Sequence, residues 1–291
     1  MNIEAHFFDT YNLCAKVDGL LKNQFDYLRE LEGFHCDGQW VDWLAPYQRF
    51  SVFHRFIGYV VRGDHADDAD TVDLSHRIGI MESFANIPSA IEDLRPGKLP
   101  IEEAFVRHRI DHQSFVEFLS DAGKVFAQAD NNDVYDYMNE VRLTGSYELL
   151  MEQTVAEVFH VLFQNRELLL TFNDYISRIL ENAKHDEAED LDLSLLAKNR
   201  TLLRVKPAKW AQRAVFFRDR GRCVLCGKDL SGLLNLGNIE NYDHIVALAR
   251  FGLNDVTNLQ LLCERCNQVE KRDGAAVTSS RYQTWYSDDD N

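Results

Sequence analysis

Four cysteines in two closely spaced pairs constrain this chain more than any other feature. The pairs are Cys223-x-x-Cys226 and Cys263-x-x-Cys266, and a longer insert separates them. Two such pairs can close one tetrahedral zinc site, and the ion then ties the intervening chain into a small folded unit. We therefore predict a structural Zn²⁺ site formed by these four thiolates.

The cysteine usage favours a reducing compartment over a disulfide-linked secreted protein. The sequence opens without the basic and apolar segments of a signal peptide, and no apolar stretch approaches the length of a membrane span. The remaining cysteines, Cys14 and Cys36, are expected to be buried structural thiols. These observations predict a cytoplasmic protein with no membrane partner.

The formal net charge of -16 hides a strong asymmetry along the chain. Residues 1–199 carry 17 Lys and Arg against 36 Asp and Glu, whereas residues 200–291 carry 14 against 11. The segment 200–222 alone holds eight basic side chains and one acidic side chain. A polyanion such as nucleic acid would be repelled by the first part of the chain and attracted to the second.

Apolar residues recur at three- and four-residue intervals through most of the N-terminal part, a pattern that predicts helices. An acidic run at 185–192 precedes the basic segment, so we place a domain boundary between the two. The predicted domains are an acidic all-helical domain, 1–195, and a small C-terminal domain, 196–291, whose core spans 210–273.

The periodicity changes after the first cysteine pair. Segments 241–248 and 258–262 are each short enough for a strand, and turn-forming residues lie between them. A polar helix is expected over 263–273. The predicted fold class is therefore mainly α: an N-terminal all-α domain followed by a small strand–loop–strand–helix domain.

Several polar residues near the cysteine pairs are not needed to bind zinc. Asp243 and His244 lie in the first expected strand, and Asn258 and Asn267 flank the second cysteine pair. Hydrolysis of a phosphodiester needs a base for the attacking water and a cation beside the departing oxygen. A neutral imidazole suits the base at neutral pH, while carboxylate and amide oxygens suit Mg²⁺.

The order Cys-x-x-Cys, Asp-His-Ile, Asn-Leu-Gln-Leu-Leu-Cys-x-x-Cys-Asn resembles the HNH endonuclease family in its zinc-bound form. The resemblance covers 210–272 and implies a ββα-metal fold, in which two antiparallel strands and a helix hold one catalytic divalent ion. By position, His244 matches the general base and Asp243 the metal-binding acid. Asn258 matches the residue that pins the loop, and Asn267 the last metal ligand.

The resemblance also implies DNA as substrate, Mg²⁺ or Mn²⁺ as catalytic ion and Zn²⁺ as structural ion. The family often has His where Asn267 stands, and an amide oxygen suits Mg²⁺ whereas imidazole favours softer metals. Nucleic-acid contacts are expected from basic residues of the 200–222 segment and from one lysine after the second cysteine pair. These residues are Arg213, Arg218, Arg220, Arg222 and Lys271.

Three functions stay open on the sequence alone. The first is a metal-dependent DNA endonuclease whose acidic domain regulates it or binds an activating or inhibiting protein, with phage defence as one hypothetical setting. The second is a zinc ribbon that binds nucleic acid or protein without cutting, although the presence of both Asp243 and His244 argues against it. The third is an assembly protein with a vestigial nuclease unit.

Overall fold

The computed structural model describes residues 5–84, 98–183, 191–232, 241–269, 271 and 276–281. Within these ranges the chain is mostly helical, with one two-stranded sheet near the C-terminus. The prediction of a mainly α chain that ends in a small ββα unit is confirmed. Most of the acidic run at 185–192, and most of the expected helix beyond Val269, lie outside the described residues.

The elements of the described ranges follow one another in chain order. The α-helices are α1 (Ala5–Lys22), α2 (Leu28–His35), α3 (Val52–Asp70), α4 (Leu74–Phe84), α5 (Pro100–Arg107), α6 (Phe115–Asp121), α7 (Asn131–Arg142), α8 (Gly145–Leu162), α9 (Arg166–Asn182), α10 (Lys209–Arg218) and α11 (Glu264–Val269). The strands are β1 (Tyr242–His244) and β2 (Leu259–Leu261). Short 3₁₀ segments are Cys36–Leu44, Phe126–Gln128, Leu193–Leu195, Leu248–Arg250 and Val256–Asn258. No helix in these ranges is both long and apolar enough to cross a membrane.

The chain divides into two compact units. One comprises Met1–Leu13 and Ile57–Val158, and the other comprises Cys14–Phe56 and Phe159–Asn291. The division therefore falls inside three helices, α1, α3 and α8. It does not coincide with the boundary at residue 195, which was placed by composition and stays a prediction.

The first unit has an aromatic core between helices that begin with local caps. Phe115, Phe126 and Tyr137 cluster there, with the Phe115 and Tyr137 ring centroids 5.4 Å apart. Ser114 caps helix α6: its hydroxyl accepts a hydrogen bond from the Glu117 amide, while the Glu117 carboxylate accepts one from the Ser114 amide. Such reciprocal caps satisfy amides that the helix itself leaves free.

The second unit packs aromatic side chains of its N-terminal residues against α9. Phe53 and Phe56 of α3 lie against Phe172 of α9, with ring centroids 4.7 and 5.5 Å away. The Tyr175 hydroxyl donates to the Leu31 carbonyl at 2.9 Å. Helix α9 thus packs against residues 31–56, which belong to the same unit as the C-terminal sheet.

Strands β1 and β2 pair antiparallel, with Asp243 opposite Gln260 and His244 opposite Leu259. All six strand residues are buried. A two-stranded sheet is at best marginally stable by itself, so it needs packing from other elements. Helix α10 provides part of that packing, and the Tyr242 hydroxyl donates to the Gln212 carbonyl of this helix at 3.2 Å.

Candidate active site and zinc centre

The four predicted zinc ligands come together. The sulfur atoms of Cys223, Cys226, Cys263 and Cys266 all lie within 4.8 Å of one another, and those of Cys226 and Cys263 are 3.7 Å apart. Tetrahedral zinc with bonds of about 2.3 Å places its sulfur ligands about 3.8 Å apart. The cluster therefore fits a structural zinc ion.

Short local turns present each pair of thiols. In the first turn the Cys223 amide donates to the Lys228 carbonyl and the Gly227 amide to the Cys223 carbonyl, with Gly227 in the left-handed region at φ 76°. In the second, the Cys266 amide points to the Cys263 sulfur at 3.5 Å. The Val224 amide donates to the Leu261 carbonyl, which ties the first turn to β2.

Asp243 lies on β1 with its carboxylate buried among polar groups. The Gln260 amide nitrogen is 3.3 Å from Oδ2, and the Lys271 ammonium is 2.8 Å from the same oxygen. Lys271 also donates to the carbonyls of His244 and Ile245. Lys271 was expected to contact a phosphate, but its ammonium is bound by the Asp243 carboxylate and by two backbone carbonyl oxygens.

His244 is almost completely enclosed, at 3% exposure. Its Nδ1 lies 3.5 Å from an Arg204 guanidinium nitrogen, whereas its buried Nε2 has no hydrogen-bond partner among the described residues. Burial lowers the pKa of His244 to about 3. The charges of Arg204 and Lys271 act in the same direction, and a hydrogen bond with the Asn254 side chain opposes the shift. The imidazole is therefore neutral at neutral pH.

Asn258 fastens the loop that follows β1. Its Oδ1 accepts from the Val246 amide at 2.8 Å, and its Nδ2 donates to the carbonyls of Val246 and Leu253 at 3.0 and 2.9 Å. The loop is tight, since a Cβ on Gly252 would lie 2.1 Å from the Val246 carbonyl oxygen. Asn258 thus fixes both ends of the 246–253 loop.

Asn267 lies on α11 with a half-buried side chain. Its amide donates to the Cys263 carbonyl, which places it in the first turn after the second cysteine pair. Among the described residues, its side chain makes no hydrogen bond to Asp243. Its role as a metal ligand, like the catalytic roles of Asp243, His244 and Asn258, stays a prediction.

One polar residue that was not predicted as part of the site, Asn254, lies next to His244. The Asn254 side chain donates to the Leu203 carbonyl at 2.8 Å and accepts from the Val205 amide at 3.4 Å, so it holds the segment that carries Arg204. The Tyr47 amide donates to the Asn254 carbonyl at 2.8 Å. Because these partners are distant in sequence, no local pattern reveals them.

A buried ion network supports β2 from α10 and α9. Arg218 binds both carboxylate oxygens of Asp219 and also the Leu259 carbonyl, and the Asp219 carboxylate accepts from the Leu261 amide. Arg166 of α9 lies 3.6 Å from the same carboxylate. The side chains of Arg218 and Asp219 are fully enclosed. This burial corrects the expectation that Arg218 contacts nucleic acid.

The described C-terminal segment 276–281 is bound to the same region. Arg166 donates to the carbonyls of Ser279 and Arg281. The Gln260 side chain, which contacts Asp243, also donates to the Val277 carbonyl at 2.7 Å. One glutamine thus connects the acid of the predicted site to the C-terminal segment.

The loop before β2 is held by two N-terminal elements. The Asp255 carboxylate accepts from the Val52 amide at 3.3 Å and from Thr257, whose hydroxyl lies 3.4 Å from the Asn173 amide nitrogen of α9. Burial raises the pKa of Asp255. Residues from three separate parts of the chain therefore shape the loop between β1 and β2.

The other predicted nucleic-acid contacts remain accessible. Arg213 is exposed, and Arg220 and Arg222 are half-buried. Three further basic residues of the same segment are exposed: Arg204, Lys206 and Lys209. The 200–222 segment therefore presents basic side chains at the surface, although Arg218 is buried.

A two-stranded antiparallel sheet, a following helix, a four-cysteine cluster and an Asp-His pair beside a hydrogen-bonded loop define a small ββα domain that could hold a metal ion. Residues 223–273 match the family model described as HNH endonuclease, so the resemblance noted in the sequence is confirmed and the chain carries an HNH domain there. Searches of the curated proteins and of the solved structures each returned no match.

Proposed function

We propose that this protein is a metal-dependent endonuclease that hydrolyses DNA phosphodiester bonds. The observation that carries the proposal is the Asp243–His244 pair on β1, within the residues that match the HNH endonuclease family. A general base and a metal-binding acid are the two groups that this hydrolysis needs from the protein.

His244 is proposed to accept the proton of the attacking water through Nδ1. Nδ1 lies beside the exposed Arg204, whereas the other ring nitrogen, Nε2, is buried and has no hydrogen-bond partner in the part of the chain that the structure describes. A neutral ring is required for this step, and burial keeps the ring neutral. The Arg204 guanidinium beside Nδ1 is then well placed to bind the phosphate under attack.

The surroundings of Asp243 fit a divalent cation. The Lys271 ammonium serves there as a stand-in ion, because it is bound by a carboxylate oxygen and two backbone carbonyls. Oxygen ligands of this kind are those that Mg²⁺ prefers. Asp243 and Asn267 would hold Mg²⁺ or Mn²⁺, and the bound ion would supply positive charge beside the departing oxygen.

Nucleic acid would be held mainly through its phosphates. Exposed and half-buried basic residues of the 200–222 segment support this role: Arg204, Lys206, Lys209, Arg213, Arg220 and Arg222. Phosphate contacts of this type fix position without distinguishing sequence. DNA is the proposed substrate because the matched family is one of endonucleases.

The acidic helical part, predicted as 1–195, is proposed to regulate the nuclease or to bind an activating or inhibiting protein. Its support is the excess of acidic residues in this part of the chain, which disfavours a direct role in binding nucleic acid. Phage defence in the cytoplasm is the proposed setting, and the four zinc-binding thiols are consistent with a reducing compartment.

A non-cleaving nucleic-acid-binding module is the second candidate function. It is favoured by one observation, the ion pair in which Lys271 neutralises the Asp243 carboxylate. If that ion pair never opened, the domain would retain its zinc centre and basic surface but would lack a catalytic ion.

Plasmid nicking by the full chain distinguishes the two functions. The assay compares zinc-loaded wild-type protein with His244→Ala and with a matched control, His76→Ala, whose histidine is exposed on α4. Each protein is tested with Mg²⁺ or Mn²⁺ and with EDTA. We expect metal-dependent nicking by the wild type and the control, and a loss of about 10²-fold or more in His244→Ala. Equal nicking by His244→Ala contradicts the proposed base. Salt-dependent binding without nicking supports the module.

A further inference from the structure

Lys271 makes an unusual set of contacts for a lysine. Only 8% of the residue is exposed, and its ammonium lies 2.8 Å from Asp243 Oδ2 and 3.2 Å from the Ile245 carbonyl oxygen, with the His244 carbonyl as a third acceptor. An ammonium has three donors, so all of them are used. Lysine is rarely buried unless it is paired in this way.

The three acceptors come from consecutive residues at the end of β1. Asp243 contributes its side chain, and His244 and Ile245 contribute their carbonyls, so the chain turns around the ammonium. Gln260 donates to the same Oδ2 from the opposite strand. This is a preformed cation position, and a positive charge from the chain itself fills it.

A divalent ion and this ammonium exclude each other on Asp243. A metal ion such as Mg²⁺ binds a carboxylate oxygen at about 2.0–2.1 Å, and an ammonium bound to the same oxygen would be held close to it in an enclosed site. Two positive charges at such a distance repel strongly, because little water lies between them to screen the repulsion.

We propose that Lys271 competes with the catalytic divalent ion for Asp243, and that the ion binds only after the ammonium leaves. This inference rests on the proposed metal-dependent function and deepens it. A released Lys271 ammonium would be attracted to substrate phosphate, so nucleic acid stabilises the displaced lysine and thereby strengthens metal binding. By linkage, the metal ion strengthens nucleic-acid binding to the same degree.

The simpler alternative is that Lys271 only clamps the chain beyond α11 to β1. The two roles differ in what happens when the charge is removed. A clamp predicts that its loss loosens the site and weakens metal binding. A competitor predicts that its loss strengthens metal binding, even if the protein becomes less stable.

Mn²⁺ binding measured by electron paramagnetic resonance separates these roles without relying on activity. Mn²⁺ is titrated, in the absence of DNA, into zinc-loaded full-length wild type, Lys271→Met and the control Lys198→Met, which changes an exposed lysine. We expect Lys271→Met to bind Mn²⁺ about tenfold more tightly than the wild type, a coupling of ordinary size. Lys198→Met should match the wild type, and Asp243→Asn should abolish the site in either background.

Affinity in Lys271→Met that equals or falls below that of the wild type overturns the competition and leaves the proposed function standing. If neither protein binds Mn²⁺, the metal site itself is wrong, and both proposals fail. Should Lys271→Met not fold, Lys271→Gln removes the charge but keeps a donor for one carbonyl, and the same outcomes apply to it.

A second measurement tests the linkage. In a His244→Ala background, where cleavage is blocked, duplex DNA should increase Mn²⁺ affinity when Lys271 is present. When Lys271→Met is added, the DNA-dependent increase in Mn²⁺ affinity should be about tenfold smaller, because no ammonium is left to displace. An equal increase in both proteins contradicts the proposal.

Discussion

The two ends of the HNH domain are built in different ways. At the zinc end, the ligands lie in two short turns, 223–230 and 263–267, which are shaped by local hydrogen bonds and tied to β2 through the Val224 amide. At the Asp243–His244 end, the supporting contacts come from distant parts of the chain. These contacts are made by Tyr47, Val52, Arg166, Asn173, Leu203 and Val205.

The difference shows that the residues matching the family do not form the predicted active site by themselves. All four ligands at the zinc end come from the two cysteine pairs. The other end needs α9, α10 and the segment around Tyr47 to hold the loop between the strands. We infer that the functional unit is the larger compact unit, Cys14–Phe56 with Phe159–Asn291, rather than the HNH segment alone.

Loss of zinc is expected to have the largest effect. Removing the ion with a strong chelator, or replacing Cys263 by Ser, leaves thiols with no common partner and releases both turns from β2. Structural zinc contributes about 10–16 kcal/mol of apparent binding free energy in small zinc domains, so the C-terminal region should unfold. Hydrogen exchange should show lost protection over 241–269 together with release of one zinc ion per chain.

The buried Cys14 provides the matched control, because it lies outside the zinc cluster. Cys14→Ser should keep its zinc and its protection over 241–269. If the chelated protein retains full protection there, the zinc end does not depend on metal, and the contrast between the two ends is wrong.

Removal of Asp219 is expected to have the next largest effect. Asp219→Ala leaves the enclosed Arg218 guanidinium without its carboxylate and the Leu261 amide without an acceptor. Breaking one side of a buried ion pair costs about 3–5 kcal/mol. Urea unfolding should show this loss, while the control Asp42→Ala, which changes an exposed carboxylate of the same unit, should stay close to the wild type.

The zinc content of Asp219→Ala sharpens the comparison. If the two ends of the domain are separately supported, the folded variant should still bind one zinc ion while hydrogen exchange increases in β2. Loss of zinc at native conditions would show instead that the cysteine turns depend on the same buried network.

The sequence predicted those features that local spacing encodes. The spacing of the cysteine pairs predicted the zinc cluster, and the spacing of apolar residues predicted the mainly α fold. The Asp243-His244 dipeptide was recognised from its place between the cysteine pairs. Arg218 was misassigned because a basic residue in a basic segment resembles a surface residue, and only its pairing with Asp219 shows that it is buried. The ion pair between Lys271 and Asp243 likewise depends on how the chain folds back, which spacing does not encode.

The smallest of the three expected effects on stability comes from Asn258, but it bears most directly on function. Asn258→Ala leaves the Val246 amide and the carbonyls of Val246 and Leu253 without their partner inside the protein. Each unsatisfied buried group costs about 1–3 kcal/mol, and partial relaxation of the loop should limit the total to about 2–4 kcal/mol. Among the described residues, the hydrogen bonds of this side chain go to Val246 and Leu253 and not to the cysteine turns, so zinc content should not change.

Cleavage should be lost even in the fraction of Asn258→Ala that remains folded, because the loop that begins two residues after His244 is no longer fixed. Plasmid nicking normalised to folded protein, alongside urea unfolding, measures both quantities. Asn139→Ala on the exposed side of α7 is the control and should leave both unchanged. Nicking by folded Asn258→Ala at the wild-type rate would mean that the loop is not part of the catalytic site. The elaborate support of this end of the domain would then serve stability alone.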